Sequence, residues 1–284
     1  MILVCGALHW DVVVRAPHLP RLDETLRGSS VAYRLGGKGG NQALAAVRAG
    51  AGVRFAGRVG ADAAGAAMLA RLRHGGVDTT GVQQGRAASG MSVAIVEDQG
   101  EYGAVIVSAE NMNIDAQAIE IKSDTSFLVL QNEIDPNVNL TLAQRALARG
   151  LAVMLNAAPA QGITAELLGL ISCLVVNRIE AADLAVRFGT NHLADLCPDA
   201  AIIETLGEDG VRFGAGGAKP RHLPAHKVDV VSTHGAGDVF VGTLAAALSR
   251  SEPLERAVAQ AQEAAARHVS AHLNDRQTDR QTDV

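Results

Sequence analysis

The 284-residue sequence predicts an α/β fold, a three-layer α/β/α sandwich around a mostly parallel central sheet, with a small β-sheet lid. Short apolar runs alternate with Ala-rich helical stretches along most of the chain, which is the order of repeated β-α-β units covered on both faces. Two stretches, 11–34 and 90–109, instead carry β-type residues with no helix between them. They read as hairpins outside that pattern. With 48% hydrophobic and 19% charged residues, the chain can bury a large core and is not a disordered one.

In chain order, MILVCGA (1–7) is the first strand, and DVVVRAPHLPRLDETLRGSSVAYR (11–34) is the first hairpin. LGGKGGNQALAAVRAGA (35–51) runs from a glycine-rich turn into a helix, and VRFAGRVG (53–60) is the next strand. GMSVAIVEDQGEYGAVIVSA (90–109) turns at EDQGEYG, giving the second hairpin. FLVLQ (127–131), LAVMLNA (151–157), CLVVN (173–177) and AIIETLG (201–207) supply further strands, most followed by helices. VFVGTLAAAL (239–248) and LERAVAQAQEAAARHVSAHL (254–273) are helical, and the polar NDRQTDRQTDV (274–284) is expected to be a disordered tail. No linker divides the chain, so one domain over 1–284 is expected, with a lid formed by 9–34 and 86–110. A flap of this kind can close over a ligand cleft and exclude water.

A net charge of −5 gives no electrostatic reason to expect nucleic acid or an anionic membrane as partner. No apolar run approaches the roughly 18 residues of a membrane span, and the N-terminus lacks a basic region. A cytoplasmic location is therefore expected. Cys5, Cys173 and Cys197 form no CxxC pair, so ordinary thiols are expected. His18, His222 and His226 read as loop residues and not as a metal set, because prolines separate or flank them.

HGAGDVF (234–240) combines small residues, an acid and the start of a helix. Gly235, Ala236 and Gly237 permit a tight turn whose N–H groups, with the positive end of the helix, can hold a phosphate or a developing negative charge. Asp238 lies beside that anion hole, ionised under the helix dipole and able to take a proton from an attacking hydroxyl. For these residues alone, a plain turn with a favourable first-turn charge stands as the alternative. The upstream glycine cluster is neither a P-loop, since Gly39 follows Lys38 where Ser or Thr is needed, nor a dinucleotide fingerprint, which disfavours a nicotinamide oxidoreductase. It offers close backbone approach and two donors for hydroxyls, Lys38 and Asn41.

Taken together, LGGKGGNQALAAVRAGA and STHGAGDVFVGTLAAAL resemble the N- and C-terminal signatures of the ribokinase-like carbohydrate and nucleoside kinases, the phosphofructokinase B family. QNE (131–133), NAAPA (156–160), NRIE (177–180) and TLGEDG (205–210) resemble the marks between them. The GGKGGNQ wording is closest to the ribokinase branch, and the resemblance runs to about residue 270. It implies transfer of the ATP γ-phosphate to a sugar hydroxyl, with Asp238 as base and Gly235, Ala236 and Gly237 as anion hole. It also implies that Asp11, Gly37, Lys38, Asn41 and Glu133 hold the sugar, with His9 beside them. Asn177, Thr205 and Gly207 then meet ATP, and Glu180 meets Mg²⁺, in part through water. Family members often dimerise through lid strands, so a homodimer is among the expected partners.

Three positions depart from the branch. His9, followed by Trp10, stands where Asn is usual two residues before the sugar-binding Asp. Ser232 replaces an Asp, and His234 replaces a Thr just before the anion hole. The C-terminal stretch RHVSAHLNDRQTDRQ lacks the expected Gly- and Pro-containing form. Since the Asp and that stretch belong to the family's potassium site, K⁺ binding is expected to be altered or absent. The leading expectation is an ATP-dependent kinase of a small sugar, ribose or a relative. A nucleoside kinase of the same fold is an alternative, disfavoured by the 3% aromatic content, which leaves few rings to stack a base. The other alternative is a non-catalytic sugar or nucleoside sensor, which would have no use for a base at Asp238.

Overall fold

The computed structural model describes residues 1–97, 101–215 and 217–271. The tail expected at 274–284 and part of the second hairpin's turn lie outside them.

The central sheet is built from apolar runs whose successive side chains enter different cores. In β1 (Ile2–Cys5), Ile2 and Val4 face one core while Leu3 and Cys5 face the other, as the two-residue repeat of a strand requires. β1 pairs in parallel with β4 (Val53–Gly60) on one side and β8 (Phe127–Gln131) on the other. Beyond β4 comes β5 (Asp78–Gly85), also parallel. Beyond β8 come β9 (Ala152–Asn156), β10 (Cys173–Asn177) and β11 (Ala201–Thr205), all parallel. The antiparallel strands β12 (Val211–Ala215) and β13 (Arg221–Leu223) complete this edge. The order among the described residues is β13-β12-β11-β10-β9-β8-β1-β4-β5.

Helices cover both faces. One core receives α1 (Lys38–Arg48), α2 (Ala63–His74), α6 (Ala236–Ser249) and α7 (Leu254–Ser270) through residues such as Ala43, Met68, Leu244 and Val258. The other receives α3 (Pro136–Leu147), the one-turn α4 (Ala165–Leu168) and α5 (Arg178–Phe188) through Leu142, Leu167 and Leu184. Cys5, Cys173 and Cys197 are buried, and burial pushes their thiols up. Among the described residues no helix is long and apolar enough to cross a membrane.

A separate four-stranded sheet forms the lid. β2 (His9–Ala16) and β3 (Ser30–Gly36) are one antiparallel pair, and β6 (Met91–Glu97) and β7 (Tyr102–Val107) the other. A parallel pairing of β2 with β6 joins them. The first lid segment therefore ends at Gly36, two residues beyond the expected 34, and leads straight into α1. Residues 86–90 lie in no strand.

Candidate active site

The turn before α6 has the geometry its small residues permit. Gly235 is left-handed, with φ 77° and ψ 0°, a conformation that favours glycine. The first intrahelical bond runs from the Val239 N–H to the Gly235 carbonyl at 3.0 Å, so the preceding N–H groups point out of the helix start. A Cβ at Gly237 would meet nothing within 4 Å, and the space above this residue is open. Ala236 differs from expectation: its N–H donates to the Thr233 carbonyl at 3.2 Å. The left-handed turn folds that carbonyl over it, so Ala236 must give up a bond before it can meet an anion.

Asp238 is buried in the first turn of α6. Its Oδ1 accepts from Gln42 Nε2 at 3.0 Å, and its Oδ2 from Asn41 Nδ2 at 3.4 Å. Gln42 Nε2 also donates to Asn156 Oδ1 at 3.0 Å, and Asn156 Nδ2 donates to the Val175 carbonyl at 3.2 Å. A chain of hydrogen bonds thus anchors the carboxylate through α1 and β9 to β10. The helix dipole does not dominate its titration. Burial pushes the Asp238 carboxyl above the usual carboxylate range, opposed by the Lys38 charge and the two amide donors and assisted by the charge of Glu133. A sequence does not display that burial, which is why the dipole was the visible influence.

Lys38 opens α1, with Gly37 as its N-cap. Its backbone N–H donates to Glu133 Oε2 at 2.7 Å. Glu133 follows the C-terminal end of β8, where open α/β sheets place ligands. Burial raises its carboxyl against the opposing influence of Lys38. Asp11 on β2 is opposite Arg34 of β3. Burial, with the charge of Glu133, pushes its carboxyl up to about 6, and Arg34 acts in the opposite sense. Its oxygens lie so close to Gly36 that a Cβ there would sit 2.2 Å from Oδ2. His9 is buried, its Nε2 has no hydrogen-bond partner, and burial lowers its pKa.

Asp11, Asn41, Gly235 and Asp238 line one cavity of about 610 Å³ between the lid, α1, α2 and the start of α6, together with Trp10. Gly37, Lys38, Glu133 and His9 are not among its lining residues. Asn177, Glu180, Thr205 and Gly207 gather instead at the C-terminal ends of β10 and β11, where Asn177 and Thr205 are opposite each other in register. Asn177 and Glu180 form a reciprocal capping box at the start of α5, with bonds of 2.9 and 2.8 Å. The Thr205 hydroxyl donates to the Val176 carbonyl at 3.3 Å. Burial raises the Glu180 carboxyl, while the Asn177 N–H and the charge of Lys38 lower it. Glu180 keeps Oε1 outside the capping box. One hard oxygen at the start of α5 fits Mg²⁺, which holds most of its ligands as water and phosphate.

The two departing segments meet in space. The N–H groups of Val231 and Ser232 donate to the Val269 carbonyl at 2.8 and 3.3 Å, and His268 Nε2 is 2.8 Å from the His234 carbonyl. His268 thus holds the loop that leads to the anion hole. Among the aromatic rings, Phe55 is fully buried in the core, whereas Trp10 stacks on Tyr33 with centroids 5.9 Å apart. Gln42 and Asn156 lie inside GGKGGNQ and NAAPA but carried no role in the sequence, and Arg71 was not singled out. For Gln42 the available signal was a polar residue among the alanines that α1 buries.

The chain matches the family model described as pfkB family carbohydrate kinase over residues 1–277. It is 32% identical over 268 residues to ribokinase from Bacillus subtilis, covering 93% of this chain and 91% of that one. The crystal structure of ribokinase from Thermotoga maritima superposes with a TM-score of 0.88 at 29% identity, covering 95% and 93% of the two chains. The structure of Arabidopsis thaliana ribokinase complexed with ribose and ATP gives a TM-score of 0.83 at 26% identity, covering 95% and 92%. With both signatures folded into one cleft and the match spanning almost the full length, the chain belongs to the pfkB family of carbohydrate kinases.

Proposed function

We propose that this kinase transfers the γ-phosphate of ATP to a hydroxyl of a small sugar, ribose or a close relative, with Asp238 as general base. The observation that carries this reading is the placement of a buried, hydrogen-bonded carboxylate one residue after the helix-start glycine, in the same cavity as Asp11 and Asn41. Such a carboxylate can accept the proton of the attacking hydroxyl, and its raised proton affinity makes it a better base than a surface acid. The hydroxyl oxygen attacks phosphorus, the bond to ADP breaks, and the N–H groups at the start of α6 stabilise the charge on the transferring group. Asp11, Asn41, Lys38 and Glu133 orient the acceptor. Asn177, Thr205 and Gly207 receive the nucleotide, and Glu180 would hold Mg²⁺. That ion, when bound, neutralises phosphate charge.

The test is ADP release with Mg·ATP over a panel of pentoses, hexoses and nucleosides, run in Na⁺ and again in K⁺. A small sugar is expected to turn over with little change between the two cations, because His268 occupies the His234 carbonyl beside the anion hole. A several-fold rise in K⁺ overturns the cation expectation. Ligand-induced melting shifts without any turnover would favour a sensor.

Asp11 gives a pH prediction. It accepts from hydroxyls fully only as a carboxylate, and its folded-state pKa is raised to about 6. Acceptor binding is therefore present above that value and lost as the pH falls through it. The sugar Kd measured without ATP, where the base at Asp238 does no chemistry, should rise as the pH falls through about 6, and that rise should shrink in Asp11→Asn, with the Kd above neutral pH higher by about 10–100-fold. An unchanged rise in that variant would exclude Asp11 as its source.

A further inference from the structure

Four segments join the lid to the body: residues 6–8, residue 37, residues 86–90 and the stretch that follows β7. Residues 6–8 have left the central sheet after β1 and have not yet entered the lid sheet, so their backbone groups need partners from elsewhere. The Gly6 N–H donates to the Ala56 carbonyl at 3.2 Å, and the Ala7 carbonyl accepts from the Gly40 N–H at 3.3 Å. Leu8 is served by one side chain. Its N–H donates to Asn111 Oδ1 at 2.9 Å, and Asn111 Nδ2 donates to its carbonyl at 2.8 Å. A primary amide carries the donor and the acceptor that this exchange needs, and here it stands in for a neighbouring strand.

Asn111 is fully buried and is itself held to the body. It lies in the 3₁₀ turn Ala109–Asn113, next to Glu110, which accepts from Arg58 Nε of β4 at 2.6 Å and from the Ala87 N–H at 2.8 Å. The chain enters this turn through Ala109 at φ 45°, a left-handed conformation uncommon outside glycine. Such a conformation persists where the surroundings over-determine it. Residues 86–90 close on the same point. The Gly90 carbonyl accepts from the Trp10 N–H at 2.8 Å, and a Cβ on Gly90 would lie 2.1 Å from Asn111 Nδ2 and 2.7 Å from the Leu8 carbonyl oxygen. Residue 37 does so too, since a Cβ on Gly37 would lie 2.5 Å from the Ala7 carbonyl oxygen and 2.9 Å from the His9 nitrogen. The four crossings therefore meet at residues 7–10. Asp11 follows directly on the lid side, while Gly40, bonded to Ala7, sits between Lys38 and Asn41 in α1.

We propose that Asn111 is a positioning residue for the acceptor: it fixes the chain where β1 gives way to β2, and so sets where Asp11 on the lid stands relative to Lys38 and Asn41 on α1. This rests on the kinase reading above and adds a residue to its acceptor side. Asn111 acts through Leu8 and Asp11. The residues assigned to the nucleotide, Asn177, Thr205 and Gly207, belong to the ends of β10 and β11, which β8 and β9 separate from β1. Loss of the clasp therefore acts on the sugar and not on ATP.

Three variants of the full chain test this. Asn111→Leu removes both bonds at similar volume, Asn111→Asp keeps an acceptor for the Leu8 N–H but loses the amide donor to its carbonyl, and Gly90→Ala drives a methyl group into the clasp. Sugar and Mg·ATP are titrated separately by calorimetry below the onset of melting, with ribose as the sugar or, if another panel sugar binds the parent more tightly, with that one. Each variant should raise the sugar Kd by about 10-fold or more and leave the Mg·ATP Kd within about twofold. Asn111→Leu combined with Gly90→Ala should cost less than the product of the two single effects, because both act at one joint. A lower Tm with an unchanged sugar Kd would make the clasp purely structural and overturn the proposal. So would equal rises in both Kd values, fully multiplicative effects in the double variant, or a set of variants none of which folds, since the clasp would then hold the fold and not the acceptor. The two readings fail separately. A parent protein that binds sugar but transfers no phosphate removes the kinase reading alone, whereas intact transfer with a sugar Kd that none of the variants moves removes this inference alone.

Discussion

Asp238→Asn is expected to lower kcat by about 10²–10⁴-fold while the sugar KM stays within a few-fold. The change keeps the volume and one acceptor oxygen, which can still accept from Gln42, while the weaker 3.4 Å bond from Asn41 is lost because an amide nitrogen cannot accept. What it removes is the proton acceptor, which matters in the transition state more than in the bound ground state. Steady-state kinetics of both proteins in one sugar titration separates these effects. A variant with near-normal kcat would show that the hydroxyl loses its proton elsewhere, and a large rise in KM alone would recast Asp238 as a binding residue.

Gly242→Ala should destabilise the protein, although Ala normally favours a helix over Gly by nearly 1 kcal/mol. Gly242 is where α6 crosses α1. A Cβ there would lie 2.4 Å from the Gln42 carbonyl oxygen and 2.8 Å from the Ala46 nitrogen, and backbone atoms cannot swing aside as a side-chain end can. The helices must separate, at a cost of about 1–3 kcal/mol or a Tm lower by roughly 2–8 °C. The shift acts on Gln42, so the anchor of Asp238 loosens and kcat should fall as well. An equal or higher Tm would mean that the crossing has slack and does not fix the site.

The parallel centre of the sheet was legible because strands buried on both faces are continuously apolar. FLVLQ, CLVVN and their relatives needed no context. β5, with the sequence DTTGVQQG, was not, since an edge strand has partly exposed faces and reads as polar loop. β12 and β13 are short, and their pairing is set by the antiparallel turn-back from β11 and not by composition. At the site, Asp238, Asn41, Lys38 and Glu133 carried motif signals that placed them near one another, and the fold did bring them together. Gln42 closes the GGKGGNQ wording, but its role was not visible there because it comes from a helix crossing between segments two hundred residues apart. Arg71 was hidden for a similar reason: on α2 it reads as a solvated charge, and only the fold of the lid lays Trp10 beneath it. The direction of the Asp238 titration was also beyond the sequence, because burial is a property of the whole packed molecule.

The central claim is that a sugar hydroxyl, deprotonated at Asp238, receives the terminal phosphate of ATP. The most direct measurement follows γ-labelled ATP with the best acceptor from the panel, for the parent protein and for Asp238→Asn in the same assay. The account predicts label in the sugar product, in proportion to the ADP formed, and its near-disappearance in the variant. Label released to water, or transfer to sugar that persists at the parent rate in Asp238→Asn, would contradict it.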